Sequence, residues 1–314
     1  MPPSAFDNSV LPLGLREFKL FRTLIHDRTG IWLRDGKQVM LASRLSRRLR
    51  HHGIASFGDY YHYVQSGNNG DELRELINCV TTNKTSFFRE RHHFDFLAKT
   101  VASRIQSEAR SGTHKSIRVW SAACSTGEEP YSIAITLLEA LQTPASLGTA
   151  VGLQRAAART GSARPALLPG SRRIEVVASD IDTKVLDTAI QAVYSESSLE
   201  MVAPNLQRKY FLQGKDDMQG KVKVKREVTQ LVEFKNINLM DAQWPLEDLF
   251  DVIFFRNALI YFNQDTQNIF LRKMALHLKP SGYLFLGNSE HVPWLADIFA
   301  PLNQTMYQLR DLPR

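Results

Sequence analysis

The sequence has little cysteine and no long apolar run. Cys79 and Cys124 are its two cysteines, which is too few for a disulfide framework and is typical of reduced thiols in a cytosol. No run of 18 apolar residues predicts a membrane span, and "MPPSAFDNSVLPLGL" has no basic segment before an apolar core, so it predicts no secretory signal. No Cys/His cluster has zinc-ligand spacing. We therefore expect a cytoplasmic protein without a bound metal or membrane insertion.

The basic residues are concentrated in the first part of the chain. Residues 1–120 contain 19 Lys/Arg and 11 Asp/Glu, whereas residues 121–314 contain 20 and 21. The chain as a whole carries a net charge of +7. This asymmetry predicts an acidic partner for the first part: a nucleic acid, an anionic membrane or an acidic protein surface.

Apolar residues at helical spacing dominate residues 15–85. "LREFKLFRTLIHDRTG" predicts a helix ending at Gly30, and "KQVMLASRLSRRLRHHG" predicts a second one with Val39, Met40, Leu45 and Leu49 facing inward. Two shorter helical patterns complete the region. We therefore predict an all-helical domain over residues 1–90.

Strands and helices alternate from residue 117 onward. The strand patterns include "IRVWSAAC", "IEVVASDID", "VEFKNINL", "FDVIFFRN" and "GYLFLGNSE", with helical patterns after the first, second and fourth, and "TMYQLRD" as a candidate last strand. This alternation predicts an α/β domain over residues 91–314, with a mostly parallel, doubly wound sheet covered by helices on both faces.

Two segments interrupt the alternation. Residues 143–173 contain five arginines and no acid, which predicts an exposed, mobile insertion. Residues 206–234 predict small antiparallel strands around a loop from Gly214 to Gly220, as an appendage of the main sheet.

The turn "SAACSTGEEPY" stands where α/β proteins bind nucleotides, between a strand and a helix. A phosphate-binding turn needs glycines and a helix N-terminus free of negative charge, but this one has Gly127 followed by Glu128 and Glu129. Such acids disfavour a pyrophosphate and favour an ammonium or a sulfonium. Asp180, after the second strand, suits the two hydroxyls of a ribose. A cationic nucleoside such as S-adenosylmethionine fits both features, although glutamates at a helix start also simply complement the helix dipole.

Six segments together resemble the CheR-type chemoreceptor glutamate methyltransferases, in unbroken order from about residue 15 to 310. They are "TTNKTSFFRE", "SAACSTGEEPYSIAI", "ASDID", "NINL", "FDVIFFRNALIYF" and "LKPSGYLFLGNSE". The resemblance implies a Rossmann-like methyltransferase sheet, an inserted three-stranded β-subdomain and an N-terminal helical domain. It also implies S-adenosylmethionine as cofactor and S-adenosylhomocysteine as its product.

The resemblance also assigns residues to the site. The cofactor contacts that it implies are Asn83, Thr85, Arg89, Glu129, Asp180, Asn238, Leu239, Arg256 and Asn257. The implied reaction is an in-line SN2 transfer of the methyl group to a glutamate carboxylate of a chemoreceptor, giving a γ-methyl ester. A glutamate is already ionised at pH 7, so no general base is needed. Arg89 and Tyr261 are the hypothetical catalytic residues that orient the carboxylate.

The implied partner is the cytoplasmic domain of a chemoreceptor. Arg44, Arg47 and Arg48 share one helix face by their spacing, which is either a solvated surface or a docking face for the Glu-rich methylation region. In some members of the family the β-subdomain binds a receptor C-terminal peptide by strand addition. This chain has Asp216 where many of those members have a further glycine.

Several alternatives stay open. Phe87 and Phe88 are core residues or adenine stackers, and Cys124 is a small apolar residue rather than a nucleophile. His92 and His93 are expected on a helix surface, without a role. A nucleic-acid methyltransferase is a weak rival, because "RNALIY" lacks the prolines of the Asn/Asp-Pro-Pro-aromatic turn. A cofactor-binding module without turnover is the second rival.

Overall fold

A computed structural model describes residues 12–66, 70–103, 116–141 and 173–311. The predicted arginine-rich insertion lies outside the described residues, apart from Arg173 at the start of a strand. In the described ranges no helix is long and apolar enough to cross a membrane.

Helices and strands follow in the order that the periodicity predicts. The α-helices are α1 (Leu15–Thr29), α2 (Gln38–His52), α3 (Phe57–Gln65), α4 (Gly70–Val80), α5 (His92–Phe96), α6 (Glu128–Leu141), α7 (Thr183–Gln191), α8 (Pro204–Tyr210), α9 (Arg226–Thr229) and α10 (Gln264–Leu276). The strands are β1 (Ser116–Ala122), β2 (Arg173–Asp180), β3 (Val193–Ser195), β4 (Phe211–Gln213), β5 (Lys221–Val224), β6 (Val232–Asn236), β7 (Phe250–Phe255), β8 (Leu278–Leu286), β9 (Phe299–Asn303) and β10 (Met306–Leu309).

Helices α1–α4 pack around their own apolar core, whose members include Phe21, Leu45 and Tyr60. One inward assignment on α2 is wrong: Val39 is 76% exposed. The buried face of this helix is formed by Leu41, Ala42, Leu45, Ser46 and Leu49, so the predicted Leu45 and Leu49 are confirmed, and Met40 is half-buried against the same core.

The end of α1 joins the helical domain to the main sheet. Gly30 closes the helix in the left-handed conformation, at φ 74°, and a Cβ there would lie 3.0 Å from both the Met240 sulfur and a Thr266 methyl. A side chain is therefore excluded both by the turn and by the close approach of the two domains. The next residue, Ile31, forms an antiparallel bridge with Phe262.

The main sheet has seven strands in the order β6-β2-β1-β7-β8-β10-β9. Pairing is parallel from β6 to β8, and β10 is antiparallel to both β8 and β9. Both faces are covered, since Val119 belongs to one apolar cluster and the adjacent Trp120 to the other. The predicted doubly wound sheet and its last strand are confirmed. Strand β1 has β2 on one side and β7 on the other, so the order in which strands are added changes direction at β1. Because these three strands are parallel, their carboxyl ends lie side by side there.

A second sheet of three antiparallel strands, ordered β3-β5-β4, forms the predicted β-subdomain. Its first strand, β3, precedes the predicted range, whereas residues 232–234 of that range belong to β6 of the main sheet. Asp216 adopts φ 50°, the left-handed backbone that favours glycine. The aspartate therefore keeps the backbone form that a glycine would have there.

Candidate functional site

A cavity of about 430 Å3 lies at the carboxyl edge of the parallel strands. Its lining comes from the turn after β1, the end of β2, the segment after β7 and two segments of the helical region, at residues 31–40 and 80–89. This is the edge at which doubly wound sheets bind ligands. The site is therefore shared by both domains.

The turn after β1 has an unusual backbone. Ala123 and Ser125 adopt φ values of 59° and 51° although neither is glycine. Gly127, at φ 95°, leaves no room for a side chain, because a Cβ there would lie 2.8 Å from that of Ala189. Asn257, which also lines the cavity, is left-handed too, at φ 58°. Such strained residues cluster where a backbone must be held in one conformation to receive a ligand.

Asp180 ends β2 and faces the cavity while only 7% exposed. Its oxygens accept hydrogen bonds from backbone N–H groups, those of Ser125 and Asp182, both at 2.9 Å. Burial outweighs these bonds and raises the pKa of Asp180 to about 6. The carboxylate is ionised at neutral pH and is suited to accept from the hydroxyl groups of a ribose.

The two glutamates of the turn have different surroundings. Glu129 lines the cavity, and its Oε2 accepts from Nε of Arg256 at 2.7 Å while Oε1 accepts from Ser121 Oγ at 2.7 Å. Glu128 is buried against Thr126, whose hydroxyl donates to it at 2.6 Å, and burial raises its pKa. Of the two acids of the turn, Glu129 is the one that the resemblance implies as a cofactor contact, and it is the one that lines the cavity. Its charge is balanced by Arg256.

Arg256 is held from several sides. Besides Glu129, its Nη1 donates to the backbone oxygen of Arg89 at 2.8 Å and lies 2.9 Å from His93 Nδ1. Burial and the adjacent guanidinium lower the pKa of His93 to about 2, so this ring is neutral and accepts from Arg256. A buried cation is stable only with such partners.

The expectation that His93 lies on a helix surface is wrong. The residue is fully buried, and its ring stacks on that of Phe285 with the ring centroids 5.2 Å apart. The spacing of apolar residues after His93 indicates its burial. His93, Leu97 and Val101 are spaced four residues apart, and all three are buried. His92 is half-buried.

Glu290 is a further buried acid that the sequence did not single out, although it ends the quoted segment "LGNSE". Its Oε2 accepts from the N–H groups of Asn257 at 2.8 Å and Gly287 at 2.6 Å. Burial raises its pKa. The carboxylate ties the left-handed Asn257 to the end of β8 and so positions the segment that carries Tyr261.

The segment after α4 brings Asn83, Thr85 and Arg89 to the cavity. The side-chain amide of Asn83 donates to Asp182 Oδ2 at 2.8 Å, and the backbone carbonyl of Asn83 accepts from Ser125 Oγ at 3.0 Å. The segment thereby crosses over the turn that follows β1. Phe87 is fully buried in the core, which favours the core role over adenine stacking, and Phe88 packs against the same cluster.

Arg89 and Tyr261 both line the cavity, as required for residues that meet a substrate there. Nη1 of Arg89 donates to the Lys84 carbonyl at 2.9 Å. Its neighbours Phe88 and Glu90 have φ values of 53° and 57°. Tyr261 lies in a short 3-10 turn (Leu259–Tyr261), and its carbonyl accepts from Trp32 N at 2.8 Å.

Five predicted residues lie outside the cavity lining. Asn238 donates to the Arg28 carbonyl at 2.6 Å, and Leu239 packs against an apolar cluster. Arg48 binds Glu72, and Arg44 binds carbonyls at the end of α4, so Arg47 is the exposed member of the predicted arginine face. Two of the three guanidinium groups of the predicted docking face therefore have partners within the helical domain.

Cys124 is 1% exposed at the end of β1, and burial raises the pKa of its thiol well above the usual range. A nucleophile would need the thiolate. The interpretation of Cys124 as a small apolar residue is confirmed.

Two family models match the chain. The model described as "CheR methyltransferase, all-alpha domain" matches residues 16–81, and the one described as "CheR methyltransferase, SAM binding domain" matches residues 83–152 and 165–308. The chain is 39% identical to chemotaxis protein methyltransferase 2 of Pseudomonas aeruginosa, across 98% of this chain and 97% of that one. It is 40% identical to the chemotaxis protein methyltransferases of Salmonella typhimurium and Escherichia coli, across 95% of this chain and 92% of each.

Proposed function

The chain belongs to the CheR methyltransferase family, and we propose that it methylates glutamate side-chain carboxylates of chemoreceptors in chemotaxis adaptation. The product is a glutamate γ-methyl ester, so the enzyme is a protein-glutamate O-methyltransferase. The single observation that carries this proposal is the cavity in which Asp180, the Glu129–Arg256 pair, Arg89 and Tyr261 meet at one sheet edge.

The cavity fits S-adenosylmethionine by the chemistry of its lining. Asp180 provides a buried acceptor for ribose hydroxyls, and the same cavity is lined by Asn83, Thr85, Glu129, Arg256 and Asn257. When bound, the cofactor supplies a methyl group activated on a sulfonium. The Glu129–Arg256 pair keeps that side of the cavity close to neutral, so Asp180 provides the negative charge that a cationic nucleoside favours.

The substrate glutamate needs orientation rather than deprotonation, since a carboxylate is ionised at pH 7. Arg89 offers a planar, permanently charged fork for the two carboxylate oxygens, and Tyr261 offers a hydroxyl. Holding the carboxylate in line and excluding water supply most of the rate enhancement.

Methyl transfer from radiolabelled S-adenosylmethionine to membranes that contain chemoreceptors tests the reaction. Label on receptor bands, released by mild alkali as methanol, is the result expected for a carboxyl methyl ester. Label that resists alkali, or that is absent from receptors, contradicts the proposal.

Substitutions test the two orienting residues. At saturating cofactor, we expect Arg89→Ala to lower kcat about 30-fold and Tyr261→Phe about fivefold, as expected for losing a charged and a neutral hydrogen bond. Arg50→Ala, an exposed arginine on α2, is the control. Wild-type kcat in both Arg89→Ala and Tyr261→Phe would refute their roles.

We further propose that exposed Arg47 contacts the acidic methylation region and that the β-subdomain pairs with a receptor C-terminal peptide. Strand β4 is an edge of its sheet, and Leu212 on it is 53% exposed. An edge strand of this kind accepts an added strand. Calorimetry should give micromolar binding of the receptor tail peptide, and no heat at high peptide concentration would contradict it.

A further inference from the structure

Arg44 on helix α2 binds the chain segment that leads into the cavity. Its Nη1 donates to the carbonyls of Val80 at 2.6 Å and Thr81 at 2.9 Å, and its Nη2 donates to Thr82 Oγ1 at 3.0 Å. The residue is half-buried, whereas Arg50 on the same helix is exposed. Arg44 is thus turned inward, toward the end of α4.

The carbonyls that Arg44 binds are at a helix end. The last carbonyls of an α-helix have no partner within the helix, and α4 ends at Val80. A guanidinium satisfies two such carbonyls and a hydroxyl together because its donors are fixed in one plane. A lysine ammonium lacks this planar fork.

The same segment is held from its other side by Asp182. Oδ2 of Asp182 accepts from Thr81 Oγ1 at 2.6 Å and from the Asn83 amide at 2.8 Å. Asp182 also caps helix α7, since Oδ1 accepts from Lys184 N at 2.9 Å. Residues 80–83 all line the cavity. This wall of the cavity is therefore clamped between the helical domain and the sheet.

We propose that Arg44 is a positioning residue for the cofactor site: by clamping residues 80–82 it fixes one wall of the cavity and makes cofactor affinity depend on helix α2. This inference rests on the proposed function, because it takes the cavity as the S-adenosylmethionine site. It differs from a docking role, which needs an exposed cation and affects receptor binding alone.

Calorimetric titration of S-adenosylhomocysteine into the purified full chain, with no receptor present, separates the two roles. We expect Arg44→Ala to raise the Kd about tenfold, because the wall that loses its three hydrogen bonds must be ordered when the ligand binds, and Arg44→Lys to raise it by a smaller factor. Amide hydrogen exchange of residues 81–85 should become faster in both. Arg50→Ala, the matched control, should keep the wild-type Kd and exchange rates.

The outcomes are distinct. A wild-type Kd in both Arg44 variants, with a raised KM for receptor in Arg44→Ala, overturns the positioning role and supports docking. If Arg44→Ala does not fold, the Arg44→Lys variant tests the proposal, because it keeps the positive charge that docking needs but lacks the planar fork. A wild-type Kd for S-adenosylhomocysteine in Arg44→Lys then overturns the proposal. If the wild-type protein binds no S-adenosylhomocysteine, the proposed function fails instead.

Discussion

Two buried acids, one in each domain, have nearly the same exposure and opposite pKa shifts. Glu72 in the helical domain is 5% exposed, and Asp180 in the cavity is 7% exposed. Hydrogen bonds from Arg48, Tyr60 and His52 outweigh burial and lower the pKa of Glu72 to about 2. At Asp180 burial outweighs its backbone donors and raises the pKa to about 6.

The two acids differ both in their partners and in depth, since Asp180 lies deeper in the protein and loses more hydration than Glu72. The Glu72 carboxylate accepts hydrogen bonds from Arg48 Nε at 3.0 Å, the Tyr60 hydroxyl at 2.6 Å and His52 Nε2 at 2.7 Å. It therefore joins helices α2, α3 and α4. The Asp180 carboxylate accepts hydrogen bonds from backbone N–H groups and faces the cavity. Glu72 therefore holds three helices together, whereas the carboxylate of Asp180 is available to a ligand in the cavity.

Removing Glu72 should give the largest effect on stability. Glu72→Gln removes the buried carboxylate that Arg48 binds and leaves it with Glu75, 3.6 Å away; breaking a largely buried ion pair costs about 3 kcal/mol. Thermal and urea unfolding measure the change. Asp71→Ala, which removes an exposed ion pair with Arg74, is the control and should cost less than about 1 kcal/mol. Equal effects of the two substitutions would contradict the assigned role of Glu72.

Removing the charge of Asp180 should affect binding more than folding. Asp180→Asn weakens acceptance from ribose hydroxyls, and hydrogen bonds to a charged group contribute about 2 kcal/mol, so the Kd of S-adenosylhomocysteine should rise about 30-fold. Calorimetry at pH 7.5 measures it, with circular dichroism to check the fold. An unchanged Kd would show that this carboxylate does not contact the ligand.

Acid should weaken cofactor binding through the same group. The pKa of Asp180 is raised to about 6, so the carboxylate takes up a proton as pH falls through that value and loses the charge that accepts from the ribose. Below pH 6 the Kd should rise by up to about tenfold per pH unit, and Asp180→Asn should show a flatter profile. A flat wild-type profile from pH 7.5 to 5 would contradict this prediction.

Local periodicity determined most of the fold. The apolar spacing of "LREFKLFRTLIHDRT" and the buried run "FDVIFF" are confirmed as α1 and β7, because a helix face and a two-sided buried strand have distinct periods. The motifs at strand ends also predicted that Asp180, Glu129 and Asn257 share one edge, as the lining of the cavity confirms. Parallel strands bring their carboxyl ends together whatever the loops between them contain.

Side-chain partners far apart in the chain were decided by the tertiary structure. Spacing alone placed Arg44, Arg47 and Arg48 on one helix face, yet Arg44 binds carbonyls 36 and 37 residues away and Arg48 binds Glu72. His93 became a buried partner of Arg256, 163 residues away. Periodicity reports which face of an element is apolar, but whether a charged residue meets solvent or a buried partner depends on which elements pack against it.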